Sequence, residues 1–426
     1  LFKYRIMLQQ ILSEKITSWQ KDLKKILDEN GDSVISEVTV AQAIKGMRGV
    51  KGLVCDTSAV SADKGLIIRG HPVMDITHIL PEEVFYLLLT GDLPNQEQLA
   101  DLQNQLIAHQ DVPEYVWKVI DAMPENSHPM TMLSIAIQSM RVDSLFVEKF
   151  NEGTRKDDYW KWILEDGIKL IGALPSIAAA IYRKRINETD RIDPDSNLDW
   201  AGNFAHMLGV NENDDFKKLM RLYLMLHSDH EGGNVSAFSS LTVASSLSSP
   251  FLAIGAGLNG LAGPLHGLAN QECLKFVLEI RDHFNGAPTN EELVKFCWDR
   301  LNDGRVIPGY GHAVLRCPDP RFSAFMKFGK EHIHDDDVFK IVEALFEVVP
   351  PVLNEHGKAK NPWPNVDAVS GSLLYYYGLK EFNYYTVLFS LSRVMGIVSQ
   401  IVINRALRIP ITRPKSVTID WLKNNI

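Results

Sequence analysis

The sequence predicts a mainly α-helical protein, and three observations carry this prediction. Apolar positions recur with the spacing of one helix face in segments spread along the whole 426-residue chain. Some of these segments begin at a proline or end at a glycine, which are common helix start and stop signals. The alternating pattern that indicates strands is scarce, and the two good examples are residues 35–40 and 65–69.

The predicted helices follow one another along the chain. The first covers residues 2–28 and stops at Asn30-Gly31. Another starts at Pro81, carries acidic residues in its first turn, and ends at Thr90-Gly91. Further helical segments are 96–109, 132–140, 159–171, 216–226, 291–301, 338–349 and 384–406. Residues 35–40 and 65–69 are predicted to form short strands.

Composition narrows the class of protein. The chain is 45% hydrophobic and 23% charged, which is typical of a soluble globular protein. Its net charge of −9 and the lack of a dense basic tract argue against a nucleic-acid partner. The four widely spaced cysteines contain no CxxC pair, which favours a reducing, intracellular compartment.

Residues 232–271 contain no charged side chain, which raises the question of a membrane span. Pro250, Pro264 and many small residues interrupt the stretch, whereas a span needs about 20 mostly apolar residues. We therefore expect closely packed helices in the interior or at a subunit interface, and no membrane partner.

Two motifs suggest other chemistry. Gly255-Ala-Gly257-Leu-Asn-Gly260 matches a dinucleotide-binding fingerprint, but the helix that it needs would run through Pro264. His227-Ser-Asp-His230-Glu231 places two imidazoles close together, yet it matches no metalloprotease motif and no third ligand is identifiable. We expect neither a bound nucleotide nor a metal.

Four segments combine acid/base residues or arginines with Gly- and Pro-rich backbone: 227–234, 263–270, 305–321 and 358–371. Each alone could be a loop with a packed histidine. Together they supply proton-transfer groups and anion-binding groups without a Ser or Cys nucleophile. Such a set suits carbon–carbon bond formation next to a carbonyl.

The third of these segments resembles the citrate synthase signature. It reads Gly309-Tyr-Gly-His312-Ala-Val-Leu-Arg316-Cys-Pro-Asp319-Pro-Arg321. The segments that begin at His227, Gly263 and Lys358 resemble the dimeric, mitochondrial-like branch of that family, and the similarity extends over nearly the whole chain. The resemblance implies a mainly α homodimer, with a large domain (1–266 and 378–426), a small domain (267–377) and an active site in the cleft between them.

The resemblance also implies a mechanism. Asp367 would remove a proton from the acetyl methyl of acetyl-CoA, and neutral His266 would donate a hydrogen bond to the thioester oxygen. A helix starting near Gly263-Pro264 could help to keep His266 neutral. His312 would bind the keto carbonyl of oxaloacetate, and citryl-CoA would then be hydrolysed to citrate and CoA.

Substrate binding follows from the same resemblance, and no metal or other cofactor is implied. The residues assigned to the carboxylates of oxaloacetate are His230, Arg316, Arg393 and, from the partner subunit, Arg405. The residues assigned to CoA are Arg48, Arg155, Lys360, Val306, Pro308, Gly309 and Gly311. Ordinary surface salt bridges are the competing interpretation for Arg155 and Lys360.

Two alternative functions, three departures from the family pattern and the compartment stay open. A 2-methylcitrate synthase would use propionyl-CoA with the same residues, and a non-catalytic helical assembly protein would keep the fold alone. The branch usually has histidine where this chain has Phe238, Ser240 and Val369. The compartment would be the mitochondrial matrix in a eukaryote and the cytoplasm in a bacterium.

Overall fold

The computed structural model describes residues 6–188, 190–312 and 314–426, and most of them are helical. The α-helices, α1 to α19 in chain order, are Ile6–Asn30, Val40–Ile44, Pro81–Thr90, Gln96–Ile107, Glu114–Ala122, Pro129–Ser139, Leu145–Asn151, Tyr159–Arg185, Trp200–Leu208, Asp214–Leu226, Val235–Ser245, Pro250–Leu261, Ala269–Phe284, Asn290–Asn302, Pro320–His332, Asp337–His356, Asp367–Tyr376, Tyr385–Ala406 and Ile419–Asn425. The strands β1 to β3 are Ser58–Ser61, Gly65–Ile68 and His71–Pro72. The mainly α prediction is confirmed. The first predicted helix is observed from Ile6, and residues 2–5 lie outside the described residues.

The strands form one small antiparallel sheet in the order β1-β2-β3. The hairpin between β1 and β2 pairs Ser61 with Gly65, and Gly65 has a φ of +75°, a conformation that glycine adopts without strain. The strand prediction for residues 65–69 is confirmed, but the one for 35–40 is wrong. That segment has no strand assignment, and Val38 within it is exposed. A short alternating segment without a partner strand cannot satisfy its backbone groups as a strand.

Helices α8 and α18 pack together at the centre of the molecule. Helix α8 was expected to end near residue 171 but continues through Pro175 to Arg185. The carbonyl of Ile171 would normally accept the N–H that Pro175 lacks, and it instead accepts the indole N–H of Trp200 at 2.8 Å. Helix α18 and the turn before it, Phe382–Ala406, are long and apolar enough to cross a membrane by length and composition. However, 94% of the most apolar window is buried inside the protein, as in the core helix of a soluble protein.

The uncharged stretch forms helices α11 and α12, which pack closely on each other, as the sequence predicted. A Cβ atom on Gly257 would lie 2.0 Å from Ser240 Oγ and 2.5 Å from the carbonyl oxygen of Ser236. The glycines of the GxGxxG motif therefore lie within a helix and permit close helix packing. They do not form the strand-to-helix turn that a dinucleotide site requires.

Helices α13 to α17 pack on one another in several pairs, including α13 with α17 and α14 with α16. Helix α15 also contacts α10 and the β-hairpin, which belong to the rest of the molecule. The predicted functional segments lie where these two groups of helices meet. The exact division at residues 267 and 377 stays a prediction.

Candidate active site

A cavity of about 220 Å³ brings together most of the residues that the sequence singled out for chemistry. The loop before α11, the segment between α12 and α13, and helices α15, α17 and α18 all contribute to its walls. Its charged and imidazole side chains are His230, His266, Arg321, Asp367 and Arg393. Tyr223, Tyr385 and Phe389 add aromatic surface, so polar groups face a partly apolar chamber.

Asp367 is the first residue of α17, and its position is set by the turn before it. Its backbone N–H donates to Asn365 Oδ1 at 3.0 Å, and the Asn365 N–H donates to the Gly309 carbonyl at 2.8 Å. Burial raises the pKa of Asp367 to about 6, against the opposing effect of the Arg321 cation and with a smaller raising effect from Asp319. A carboxyl with this pKa is ionised at neutral pH and is a stronger base than an exposed aspartate.

His266 lies in the short segment between α12 and α13. The backbone N–H of Ser236 donates to His266 Nε2 at 3.2 Å, and Ser236 Oγ lies 3.0 Å from the same nitrogen. A backbone N–H can only donate, so Nε2 is the acceptor and Nδ1 carries the proton. Burial, helped by the Arg393 cation, lowers the pKa of His266 to about 4. His266 is therefore a neutral hydrogen-bond donor.

The helix terminus that faces His266 differs from the one expected from sequence. No helix starts at Gly263-Pro264, because α12 ends at Leu261 and α13 begins at Ala269. The donor N–H of Ser236 belongs to the first turn of α11, whose N-cap is Asn234. This N–H at the positive end of α11 has no partner within the helix, and its hydrogen bond to His266 disfavours protonation of Nε2.

His312 is also held as a neutral imidazole, but with the other tautomer. Its Nδ1 accepts the backbone N–H groups of Val314 and Leu315 at 3.0 and 2.9 Å, so Nε2 carries the proton. Burial is the main reason why the pKa of His312 is lowered. The ring centroid lies 6.2 Å from that of His230, whose pKa burial lowers well below its usual value. His312 therefore lies beside the cavity wall formed by His230.

Two buried arginines form the cationic side of the cavity. Arg393 is 2% exposed, its Nε donates to the His227 carbonyl at 3.0 Å, and burial lowers its pKa to about 10. Arg321 is 5% exposed and makes a two-point ion pair with Asp319, at 3.1 Å from Nε and 2.7 Å from Nη2. Arg393, together with the N–H groups of Arg321 that do not bond Asp319, provides donors for a ligand that carries carboxylates.

Arg321 lies in the cavity wall although the sequence did not assign it to the site, whereas Arg316, which was assigned to oxaloacetate, does not line the cavity. The exposed Arg316 side chain instead donates from Nη1 to the carbonyls of Val314 and Leu315, at 3.0 and 2.7 Å. Arg321 ends the same quoted motif and follows Asp319-Pro320 directly. Asp319 caps α15 and stands two residues before Arg321 in the sequence. This spacing is a signal that could have indicated an ion pair between the two residues.

Arg405 lies apart from this cavity within the chain. It lines a larger, mainly apolar cavity of about 500 Å³, together with Phe238 and Leu241. Its Nη2 lies 3.5 Å from the Ala244 carbonyl, and its buried Nε has no hydrogen-bond partner among the described residues. Its predicted role in the site of a partner subunit stays a prediction.

The residues assigned to CoA divide into a structured loop and exposed cations. Gly309 and Gly311 have φ values of +81° and +99°, and a Cβ on Gly309 would lie 2.9 Å from the Cα of Ala368, next to Asp367. Arg48, Arg155 and Lys360 are exposed, as is Val306, while Pro308 is half-buried. Arg155 pairs with Asp157 at 3.4 Å, which agrees with the salt-bridge interpretation. Their binding of CoA stays a prediction.

The three departures from the family pattern lie outside the cavity wall. Phe238 is 41% exposed on α11, whereas Ser240 and Val369 are fully buried in helix contacts. Among the described residues, no group of three or more His, Cys, Asp or Glu side chains is arranged to hold a metal ion.

Comparison with known proteins identifies the family of this chain. Residues 46–415 match the family described as "Citrate synthase, C-terminal domain". The mitochondrial citrate synthase of Saccharomyces cerevisiae is 46% identical over 98% of this chain and 89% of its own length. The mitochondrial 2-methylcitrate synthase of Yarrowia lipolytica is 45% identical over 97% of this chain and 91% of its own. The crystal structure of citrate synthase from Pyrobaculum aerophilum has a TM-score of 0.79 at 28% identity, and the match covers 91% of this chain and 95% of that one.

One cavity of this mainly helical fold is lined by a carboxylate, two imidazoles and two buried arginines, and the family match makes the chain an acyl-transferring enzyme. The relatives that match over nearly the whole chain carry enzyme names, which favours an enzyme over a non-catalytic helical assembly protein. The chain belongs to the citrate synthase family.

Proposed function

We propose that this enzyme condenses acetyl-CoA with oxaloacetate and hydrolyses the resulting citryl-CoA. The observation that carries the proposal is the meeting of Asp367 and His266 at one cavity with Arg321 and Arg393. The first pair supplies a base and a neutral donor for an enolising thioester. The second pair supplies the charge that a dicarboxylate needs.

Asp367 takes a proton from the acetyl methyl group. A thioester α-proton is a very weak acid, so the negative charge that develops on the thioester oxygen must be stabilised as it forms. The Nδ1–H of His266 is the donor for that oxygen. A neutral imidazole suits this role because its own acidity is closer to that of the enol than an imidazolium's would be.

The enol carbon then forms a bond to the keto carbon of oxaloacetate. The keto oxygen gains negative charge in this step and accepts a hydrogen bond from His312 Nε2–H. The proton that Asp367 removed then completes the hydroxyl group of citryl-CoA, so Asp367 regains its base form and His312 stays neutral. Water cleaves the thioester bond of citryl-CoA, which leaves citrate and CoA. The reaction needs no electron transfer and uses only proton transfers that these side chains can perform, and we propose no metal or other cofactor.

The carboxylates of oxaloacetate are held by Arg321 and Arg393, with His230 as a neutral donor. Arg321 replaces Arg316 in this assignment because it is the buried arginine of the segment. We retain Arg405 of a partner subunit as a further ligand and therefore propose a homodimer. The exposed apolar side chain of Phe238, which lines the same cavity as Arg405, supports an interface on this part of the surface.

CoA is proposed to lie along residues 306–311, with Arg48, Arg155 and Lys360 near its phosphates. Glycines 309 and 311 allow the backbone of this loop to turn close to Asp367 and a ligand. We propose a mitochondrial location, because the relatives from Saccharomyces cerevisiae and Yarrowia lipolytica carry that designation.

A second candidate activity is 2-methylcitrate synthesis from propionyl-CoA. The 45% identity to an enzyme with that name favours it specifically. The two acyl groups differ by one methylene, which a pocket discriminates by about 1–3 kcal/mol. Release of the CoA thiol, measured with oxaloacetate and either acyl-CoA, distinguishes the two. A higher kcat/KM with propionyl-CoA would reject the acetyl-CoA assignment.

The role of Asp367 is tested in the same assay. Asp367→Asn keeps the size of the side chain but removes the base, and we expect kcat to fall by about 10²–10⁴-fold. Because the base form of Asp367 predominates above its pKa, wild-type kcat should decline as the pH falls through about 6. The residual activity of the variant should lack that decline. An unchanged kcat in Asp367→Asn would remove this residue from the mechanism.

A further inference from the structure

His230 lies in a loop whose backbone is held on both sides by the β1–β2 hairpin. Asp229, the residue before it, is fully buried, and its Oδ2 accepts the hydroxyls of Thr57 at 2.6 Å and Ser58 at 2.8 Å. Its Oδ1 accepts Gln400 Nε2 at 2.7 Å, from helix α18. A buried carboxylate with three donors from two separate elements has little freedom to move.

Glu231, the residue after His230, is tied to the same strand. Its backbone N–H donates to Ser58 Oγ at 2.8 Å, and its Oε1 accepts the Val60 N–H at 2.8 Å. Glu231 has a φ of +58°, a left-handed conformation that costs free energy in a non-glycine residue. The surrounding hydrogen bonds must therefore hold this conformation in place. Ser58 holds the residues on both sides of His230, since it donates to Asp229 and accepts from Glu231.

The other end of the hairpin reaches the segment that contains His312. The backbone N–H of Arg316 donates to the Ala62 carbonyl, in the hairpin turn, at 2.7 Å. A Cβ on Gly65 would lie 2.4 Å from the ring of Pro320, which shows how closely the hairpin packs on the start of α15. One short hairpin thus contacts the loop of His230 and the segment of His312 and Arg321.

We propose that Asp229, Thr57 and Ser58 are positioning residues that hold His230 in the geometry needed to bind oxaloacetate. This inference rests on the proposed role of His230. The three residues do not line the cavity and act through the backbone on either side of the imidazole. Loss of the hydrogen bonds to Asp229 or Glu231 allows the loop to move. The imidazole of His230 then no longer keeps a fixed position relative to Arg321 and Arg393.

The test uses the full-length enzyme and single substitutions. Ser58→Ala and Thr57→Val remove one hydroxyl donor each, and we expect each to raise the KM for oxaloacetate about tenfold. The KM for acetyl-CoA should stay within about twofold of wild type. Thr57→Ser keeps the hydroxyl and should retain the wild-type KM for oxaloacetate.

Ser144→Ala is the matched control. Ser144 is 4% exposed and Ser58 is 5% exposed, and each donates to a buried aspartate while accepting a backbone N–H. Ser144 lies at the start of α7, outside the cavity. Ser144→Ala should lower the melting temperature as much as Ser58→Ala does, without changing the KM for oxaloacetate.

Two results would overturn the positioning role. One is a KM for oxaloacetate that stays at the wild-type value in both Ser58→Ala and Thr57→Val while their melting temperatures fall. The other is an equal rise in that KM for Ser144→Ala, since general destabilisation would then explain the effect. His230→Ala, measured in parallel, tests the proposed function separately, because an unchanged KM there removes His230 itself from oxaloacetate binding.

Discussion

The segments that carry His266 and His312 differ in where the backbone donor of each imidazole comes from. Both imidazoles are neutral, and backbone N–H donors select the tautomer of each ring. His312 takes its donors from its own loop, two and three residues further along the chain. His266 takes its donor from Ser236, thirty residues earlier and in the first turn of another helix.

The difference shows that the proton position of a catalytic histidine depends on which backbone groups surround it. Local donors at Nδ1 leave the proton of His312 on Nε2. A donor at Nε2 leaves the proton of His266 on Nδ1. His266 therefore offers its Nδ1–H and His312 its Nε2–H to the proposed reaction. We expect separate roles for the two rings, His266 in enolisation and His312 in condensation.

Among the tests of this comparison, the largest expected effect comes from removing each imidazole in turn. His266→Ala should lower kcat by about 10²–10³-fold, because the enolate loses its donor. It should also abolish exchange of the acetyl methyl protons with deuterated water, measured with a dicarboxylate that lacks the keto carbonyl. His312→Ala should reduce citrate formation by a similar factor but retain that exchange, since Asp367 and His266 are untouched.

His206→Ala is the control for these two variants, because His206 lies in the last turn of α9 and not at the cavity. It should leave both exchange and citrate formation unchanged. Equal loss of exchange in His266→Ala and His312→Ala would contradict the separation of roles.

A smaller effect should separate the two arginines of the His312 segment. Arg321→Lys keeps the charge but loses both the two-point pair with Asp319 and the remaining guanidinium N–H donors that face the cavity, and the KM for oxaloacetate should rise by about 10–100-fold. Arg316→Lys should leave that KM unchanged, since the Arg316 side chain is exposed. Steady-state kinetics with varied oxaloacetate measures both. A larger rise for Arg316→Lys would restore the assignment made from the sequence.

The smallest effect should follow Ser236→Ala. The substitution removes the hydroxyl 3.0 Å from His266 Nε2 but keeps the backbone N–H that selects the tautomer. We expect kcat to fall by less than about tenfold, the scale of one neutral hydrogen bond. A loss as large as that of His266→Ala would mean that the hydroxyl, and not the backbone, controls the ring.

Much of the candidate site could be predicted from the sequence because the residues that carry chemistry occur in compact motifs. Asp367, His266, His230 and Arg393 were selected from the sequence and its family resemblance, and they line one cavity. The helical pattern and the small-residue helices α11 and α12 were also predicted correctly, since both depend on local spacing and on side-chain size. The segment 35–40 failed because a strand depends on a partner that a local pattern does not contain.

Tertiary structure decided the features that depend on distant neighbours. Arg321, and not Arg316, lies in the cavity wall, because burial depends on how α15 packs and not on the motif that contains both residues. The donor for His266 comes from α11, a contact between segments that sequence spacing cannot indicate. The sequence by itself determined the helical class, the enzyme family and most of the reactive groups. Only the fold determined which arginine is buried and which nitrogen of each histidine holds the proton, because both depend on burial and on hydrogen-bond donors brought from elsewhere in the chain.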